Sequence, residues 1–338
     1  MIGVQFLRDE QVEENKWQQL LNKSAFASPF QTPEFYKVNK SSVGTDCHVF
    51  AVQHHDDYLA LVVVVVQKEK GLVAFFSRRG IIFGGPLAHA CSDILFNEFL
   101  DRVSTYFKHK VIYLETRNYF DFSSYKNSFE GRGWNYEPYV NVQLNLARRT
   151  TAELISTFTS NRRNEIKKSI SLGTYYGISS SEKEVEEIYK ILHKLYISKV
   201  KLPIPSVSYF LKLFRSGIMK AFFVKHDGNI IGGAFCMVLA EKVIYTYYYC
   251  GLSYYKKNIY PTHLAILASL EFAINNSIPR FDFMGAGKLD QEYGVRQYKL
   301  QFGGDLVEHG RYLKILNSPL YIIGKKGLGL WKLLLPNK

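Results

Sequence analysis

The sequence predicts an α/β protein of mixed sheets (α+β in its sheet pattern), built as two tandem copies of one unit. Three observations lead there. The chain has 338 residues, more than a single hydrophobic core usually sustains. Two distant stretches read as the same hairpin, and each is followed by the same helix-then-strand pattern. The composition is 47% hydrophobic and 15% aromatic, which suits a chain that buries a sizeable core and excludes a disordered one.

Taken in order, the first hairpin is VFAVQHHDDYLALVVVVVQ (49–67), where β-branched runs flank a His-Asp-Asp turn. An amphipathic helix near 92–109 leads into the strand KVIYLETR (110–117). ARRTTAELISTFTSNRRNEIKKSISLG (147–173) reads as two helices, with Thr150 or Thr151 capping the first and Gly173 ending the second. SEKEVEEIYKILHKLYISKV (181–200) is a further helix: Ser181 and Glu184 stand in capping-box register, and Val185, Ile188, Leu192, Leu195 and Tyr196 share one face. KLPIPS (201–206) is a proline-punctuated loop and SYFLKLFRSG (208–217) a short helix. AFFVKHDGNIIGGAFCMVLA (221–240) is the second hairpin, turning at Asp-Gly-Asn. Setting Phe50 on Phe222 gives an offset of 172 and also superposes Val52 on Val224 and His54 on His226. A helix near 259–276 then leads into PRFDFMGA (279–286), at an offset of about 169. Two copies of one unit account for both matches, where chance would have to supply two like hairpins. The boundary between the halves falls near 146–150. The tail NSPLYIIGKKGLGLWKLLLPNK (317–338) interleaves Lys325, Lys326 and Lys332 with apolar residues. It either docks as a helix on the first domain or lies along a bilayer surface, lysines toward lipid phosphates.

Charge and motifs narrow the function classes. Lys and Arg number 43 against 30 Asp and Glu, a net +13, which calls for an anionic partner. The basic residues fall in separate pairs, unlike the continuous stripe of a duplex-DNA binder. Cys47, Cys91, Cys236 and Cys250 are widely spaced without a C-x-x-C, against a disulfide framework or a zinc knuckle. The N-terminus MIGVQFLRDEQ has no apolar core of a signal peptide. The longest purely apolar run, Leu59 to Val66, is far shorter than the ~20 residues that span a bilayer. The expectation is a soluble protein of the cytoplasm. Walker, H-E-x-x-H, G-x-S-x-G and Rossmann glycine patterns are all absent, and the nine histidines lack ligand spacing, so metal, hydride and serine-nucleophile chemistry have no support.

What remains is a set of polar residues, each with a bland alternative. In FDFMGAGKLDQEYGVRQYKLQFGGDL (281–306), alternation sends Phe281 and Phe283 to one face of a strand and Asp282 to the other, where a carboxylate needs a partner. Tyr298 and Lys299 precede the Gly303-Gly304 turn, and a lysine at a strand end beside a glycine turn suits an oxyanion; otherwise it is a solvated surface lysine. In SNRRNEIKKSI (160–170), Arg163 and Lys167 are i,i+4 neighbours beside Arg162, either a phosphate-holding stripe or a solvated helix face. Lys256 and Lys257 stand just before a helix with Pro261 in its first turn, where free N–H groups attract anions. Lys37, Arg78 and Arg79 add basic loops in the first half.

FQTPEFYKV (30–38), RRGIIFGGP (78–86), NRRNEIKKSISLG (161–173), FDFMGAG (281–287) and YKLQFGGDL (298–306), in this order over two repeats, resemble the FemABX peptidyltransferases and their acyltransferase relatives in the GNAT superfamily. The resemblance implies two tandem GNAT-like domains, 1–147 and 148–307, with a substrate cleft between them and the segment 308–338 returning to the first. It implies transfer of an amino acid from aminoacyl-tRNA to a peptidoglycan precursor in the cell wall pathway. Lys37 then matches a lysine that binds precursor phosphate, Tyr298-Lys299 a Phe-Lys pair whose lysine stabilises transition-state charge, and Asp282 the aspartate of a strand motif. The helical arm of some members is missing, and KLPIPS replaces a charged loop. The pyrophosphate-loop pattern of acyl-CoA users is absent before the 259–276 helix. The expected co-substrate is aminoacyl-tRNA or acyl-CoA, with no resident cofactor. The expected partners are a phosphate-bearing or lipid-linked precursor, tRNA and the inner face of the membrane. The alternatives are an acyl-CoA-dependent N-acyltransferase acting on a sugar, lipid or polysaccharide precursor, and a binding module that keeps the fold without turnover.

Overall fold

In the computed structural model, which describes residues 3–68 and 74–325, β-branched and aromatic runs form the strands and capped stretches form the helices. The strands are β1 (Val4–Arg8), β2 (Asp46–His54), β3 (Asp57–Gln67), β4 (Arg79–Gly84), β5 (Leu87–Ala88), β6 (Tyr113–Asn118) and β7 (Asn135–Glu137). There follow β8 (Val140–Asn145), β9 (Tyr175–Ile178), β10 (Met219–His226), β11 (Asn229–Leu239), β12 (Val243–Gly251), β13 (Arg280–Gly285), β14 (Asp305–Glu308) and β15 (Arg311–Ile315). They make two sheets, β1-β2-β3-β4-β6-β15-β7 with β5 beside β3, and β9-β10-β11-β12-β13-β8-β14.

Position by position the two sheets have the same design. Each opens with antiparallel neighbours, has one parallel pair (β4 with β6, β12 with β13) joined through a helix, and ends on antiparallel strands. Both hairpins carry a register shift, at Val52/Gln53 and at Val224/Lys225, which is one point of the repeat at the offset of 224 − 52 = 172. The second turn uses Asp227 at φ +50 and Gly228 at φ +76, the left-handed pair that a two-residue hairpin with right-handed twist requires.

The copies exchange strands. β15 follows all the strands of the second sheet yet pairs with β6 and β7 in the first; β8 follows β7 yet pairs with β13 and β14 in the second. The chain accordingly divides into one unit made of the residues up to Pro138 and from His309 on, and another of Tyr139–Glu308. That division precedes the 147 read from the sequence because β8 belongs to the second sheet.

Helix ends follow the expected chemistry. Thr150 and Glu153 form a capping box, Ser181 accepts from the Glu184 N–H, and Gly173 sits at φ +84 beyond Ser160–Ser171. The 181–200 helix is α-helical only over Glu182–Leu195; Tyr196–Val200 is a π-turn closed by Lys201 at φ +54. Tyr298 and Lys299, expected at a strand end, stand instead on a short helix, Gly294–Leu300. Straight-chain Arg296, Gln297, Lys299 and Leu300 favour the helix, and Gly303 and Gly304, at φ +76 and +97, stop it. Residues 318–325 are helical, and Tyr321 meets the edge of Tyr113 on β6 at 5.6 Å. Lys325 ends the described tail; Lys326 and Lys332 lie outside the described residues. Among the described residues no helix is long and apolar enough to cross a membrane.

The core of the second unit is the helix Pro261–Asn275 laid on its sheet. Leu264 through Leu270 are all buried, as expected of a helix apolar all round. It shares one cluster with Phe281, Phe283 and Phe302. Glycines allow close approach: a Cβ on Gly233 would sit 2.5 Å from the Phe222 carbonyl oxygen and 2.7 Å from Ile188. Gly233→Ala therefore destabilises this unit by about 1–3 kcal/mol in urea unfolding. Gly294→Ala, with open space around its Cβ, leaves stability unchanged or slightly higher.

Candidate active site

The two parallel pairs, equivalent in the repeat, differ in one respect. β4 and β6 pair over six residues, Arg79↔Tyr113 through Gly84↔Asn118. β12 and β13 pair only at Ile244↔Phe281 and Tyr245↔Asp282 and then part. From Thr246 to Gly251, β12 has no β13 partner.

The parted end of β13 is held by buried charge. Lys299 is 5% exposed, and its Nζ donates to the carbonyls of Phe283 (2.7 Å), Gly285 (2.8 Å) and, more weakly, Met284 (3.4 Å). These carbonyls lie beyond the last β12 pair, and the one on buried Phe283 needs a donor. Asp282, fully buried, accepts from Gln143 Nε2 at 2.8 Å, Asn141 Nδ2 at 3.4 Å and the Met284 N–H at 2.5 Å. That last bond holds Met284 at φ +60, a conformation of order 1 kcal/mol or more uphill for a side chain of this kind. Burial raises the Asp282 carboxyl above the usual range, against the opposing bonds from Gln143 and the Met284 N–H. Burial lowers Lys299 to about 8, with the Asp282 charge opposing.

A second layer fixes the helix that carries Lys299. Arg162 is 1% exposed and its guanidinium lies between two rings, 4.7 Å from the Tyr298 centroid and 4.5 Å from that of Phe302. Its Nη2 donates to Gln301 Oε1 at 2.5 Å, and its Nη1 lies 3.4 Å from Glu165 Oε2. Tyr298 also stacks on Tyr249 of β12 at 5.9 Å. His263, in the first turn of the Pro261 helix, is pushed down to about 3 by burial and by the neighbouring Arg162, so it is neutral. Its Nδ1 accepts from the Tyr298 hydroxyl at 3.1 Å, and its Nε2–H donates to Glu165 at 3.1 Å. Burial raises the Tyr298 phenol, which stays protonated. The Pro261 helix itself comes close to β11 and β12, because a Cβ on Gly251 would stand 2.7 Å from Thr262 Oγ1 and one on Gly232 2.8 Å from Pro261.

The second unit thus brings Asp282, Tyr298, Lys299 and Arg162 together. The other basic residues named from the sequence are dispersed. Arg163 turns back to the carbonyls of Ser156 and Phe158 and caps the preceding turn, while Lys167 is exposed, so the two do not form one stripe. Lys256 pairs with Asp227 at 2.9 Å and Lys257 is exposed. In the first unit Lys37 is exposed and pairs with Glu14 at 2.5 Å, and Arg79 donates to Gln67 at 3.3 Å. Arg78 is half-buried ahead of β4. Sequence reasoning missed Asn141, Gln143, His263 and Gln301. Asn141 and Gln143 carried a signal, polar side chains at alternate positions of an otherwise apolar strand, aimed at the face that Asp282 occupies. Among the described residues no group of three or more His, Cys, Asp or Glu is placed to hold a metal ion.

No protein-family model and no curated protein sequence matches the chain. Solved structures do. A FemX crystal structure superposes with a TM-score of 0.73, covering 94% of this chain and 99% of that one at 14% identity. L-PGS from Bacillus licheniformis gives 0.58 over 94% and 96% at 13% identity. A tandem GNAT protein from the clavulanic acid biosynthesis pathway gives 0.57 over 93% and 98% at 10% identity. The fold is the tandem GNAT-like fold of FemX, two mixed sheets with their helices.

The buried lysine has a measurable signature. Because its folded value lies below the unfolded 10.5, Lys299 binds fewer protons in the native state than in the unfolded chain between pH 8 and 10.5, and its own contribution to stability rises with pH across that window. The rise is of order 3 kcal/mol at most. Urea unfolding of wild type and Lys299→Met at both ends of the window isolates this contribution: the stability difference between the two shifts in favour of wild type as pH rises, because the buried thiols and phenols act alike on both.

Proposed function

We propose that the chain is a GNAT/FemABX-type acyltransferase that moves an aminoacyl or acyl group onto an amine at the split between β12 and β13. The observation that carries this reading is the split itself. One parallel pair is zipped over six residues and its repeat-mate over two, and the open one has a cationic side chain at its strand end. An opening between two strands exposes main-chain groups to an extended donor, which can add to the edge as a strand would.

In the reaction, the acceptor nitrogen attacks the carbonyl carbon of an ester or thioester. The C–N bond forms, the C–O or C–S bond breaks, and the proton lost by nitrogen goes to the leaving oxygen or sulfur. The tetrahedral intermediate carries an oxyanion. Lys299 holds the strand end through Phe283 and Gly285; its bond to Met284, at 3.4 Å, is the weakest and the one exchanged for the oxyanion. Asp282 has a positioning role, since three donors already engage it. Tyr298 positions Lys299 through Arg162 and His263. The four cysteines are buried, and burial raises each thiol, which suits direct transfer without a thiolate nucleophile.

The donor, aminoacyl-tRNA or acyl-CoA, brings phosphate. The N-terminus of the Pro261 helix has no side-chain cap, and Lys256 and Lys257 stand just ahead of it. A peptidoglycan precursor is the acceptor to test first.

A second reading, a binding module without turnover, is favoured by one observation: Lys299 and Asp282 are both fully engaged by structural bonds. Transfer assays with both donor classes separate the two. The acyltransferase reading expects turnover that falls above about pH 8 as Lys299 loses its proton, and a folded Lys299→Ala variant slower by about 100-fold or more. Full turnover in that variant removes Lys299 from the mechanism. Binding of either donor without any transfer supports the module instead. Steep loss of donor affinity with salt identifies tRNA, and a shallow loss coenzyme A.

A further inference from the structure

We infer that the second unit docks on an anionic lipid bilayer through two adjoining loops, 196–202 and 252–257. Ile197 and Leu202 are 66% and 60% exposed, Val200 is exposed as well, and Tyr254 is fully exposed. The charge that the two loops themselves carry is of one sign. HKLYISKVKLPIPS (193–206) and LSYYKKNIY (252–260) contain Lys194, Lys199, Lys201, Lys256 and Lys257 and no Asp or Glu, and all five lysines are exposed. Lys256 pairs with Asp227 at 2.9 Å.

The two loops form one surface. Lys199 Nζ donates to Ser253 Oγ at 2.9 Å and lies 5.5 Å from the centre of the Tyr254 ring. The loop is also held in shape. Tyr196 meets Tyr248 of β12 at 5.7 Å, the Lys201 N–H bonds the Tyr196 carbonyl, and Tyr189 donates its hydroxyl to the Pro205 carbonyl. The aliphatic tips are therefore presented to solvent by a fixed frame.

Charge complementarity selects the occupant. A protein interface core is depleted in lysine, whereas a headgroup layer takes aliphatic and tyrosine side chains at the acyl boundary and lysines at its phosphates. The 252–260 loop runs from the end of β12 into the Pro261 helix, so the docked surface borders the split. The inference does not depend on the proposed transfer reaction, since vesicle binding needs no turnover.

The test is co-sedimentation of the full chain with vesicles of phosphatidylcholine alone and with phosphatidylglycerol added to roughly a third. Wild type is expected to bind the anionic vesicles, and less so as salt rises. Ile197→Ser/Leu202→Ser lowers binding by about tenfold, and Lys199→Gln or Lys201→Gln by about fivefold each. All these side chains are exposed, so thermal unfolding stays at the wild-type value and reports that the variants are folded. Equal binding by wild type and the double-serine variant overturns the inference, as does the absence of any preference for anionic vesicles. So does a double-serine variant that loses self-association in sedimentation velocity while keeping its vesicle binding, because the surface is then a protein interface.

Discussion

The ammonium of Lys299 on the carbonyls of Phe283 and Gly285 is the interaction on which the second unit depends. A parallel strand that leaves its neighbour abandons backbone acceptors, and one left unpaired in the dry interior, as at buried Phe283, costs about 1–3 kcal/mol. A charged donor from another element can replace the missing ladder, and one lysine reaches three carbonyls at once. The desolvation of that lysine is offset in part by Asp282, whose own carboxyl is satisfied by two amides and a backbone N–H. Remove the lysine, and β13 either closes onto β12 or leaves its carbonyls unmet.

The remaining buried polar groups follow from the need to hold that lysine in place. Its helix is seven residues long, too short to be stable alone. Arg162 fixes it by lying between Tyr298 and Phe302 while bonding Gln301, so one side chain grips three residues of the helix and its exit. His263, neutral and donating to Glu165, ties Tyr298 to the Pro261 helix. The first unit shows the same topology without this apparatus: β4 and β6 stay zipped, and Glu115 on β6 instead accepts from Arg117 and Arg311 along the sheet. The same fold thus has a closed copy and an open one.

How much of this was legible in the sequence follows from the range of each signal. The repeat was, because hairpin turns are local: Asp227-Gly228 and the β-branched runs around it declare themselves within a few residues. Caps at Thr150 and Ser181 were, for the same reason. The exchange of β8 and β15 was not, since each is a short strand whose partner is set by long-range pairing. The helix at Gly294–Leu300 was read as a strand end because its seven residues hold too few turns to show a period. Lys299 and Asp282 stood out by residue type at a strand-and-glycine motif, but their burial and their partners did not. Asn141 and Gln143 lie some 140 positions from Asp282, and His263 looked like any isolated histidine. The exposed residues of 196–202 carry no signal until the π-turn shows that they face solvent.

The central claim is that the split between β12 and β13 is the donor site, and amide hydrogen exchange tests it most directly. The full chain is measured alone and with saturating aminoacyl-tRNA or acyl-CoA, whichever shifts its melting temperature. If the split holds the donor, new protection appears in peptides spanning 245–252, 260–264 and 282–287, with the equivalent strands of the first unit, 79–84 and 113–118, unchanged. Protection at 79–84 and 113–118 with none at 245–252 and 282–287 would contradict it.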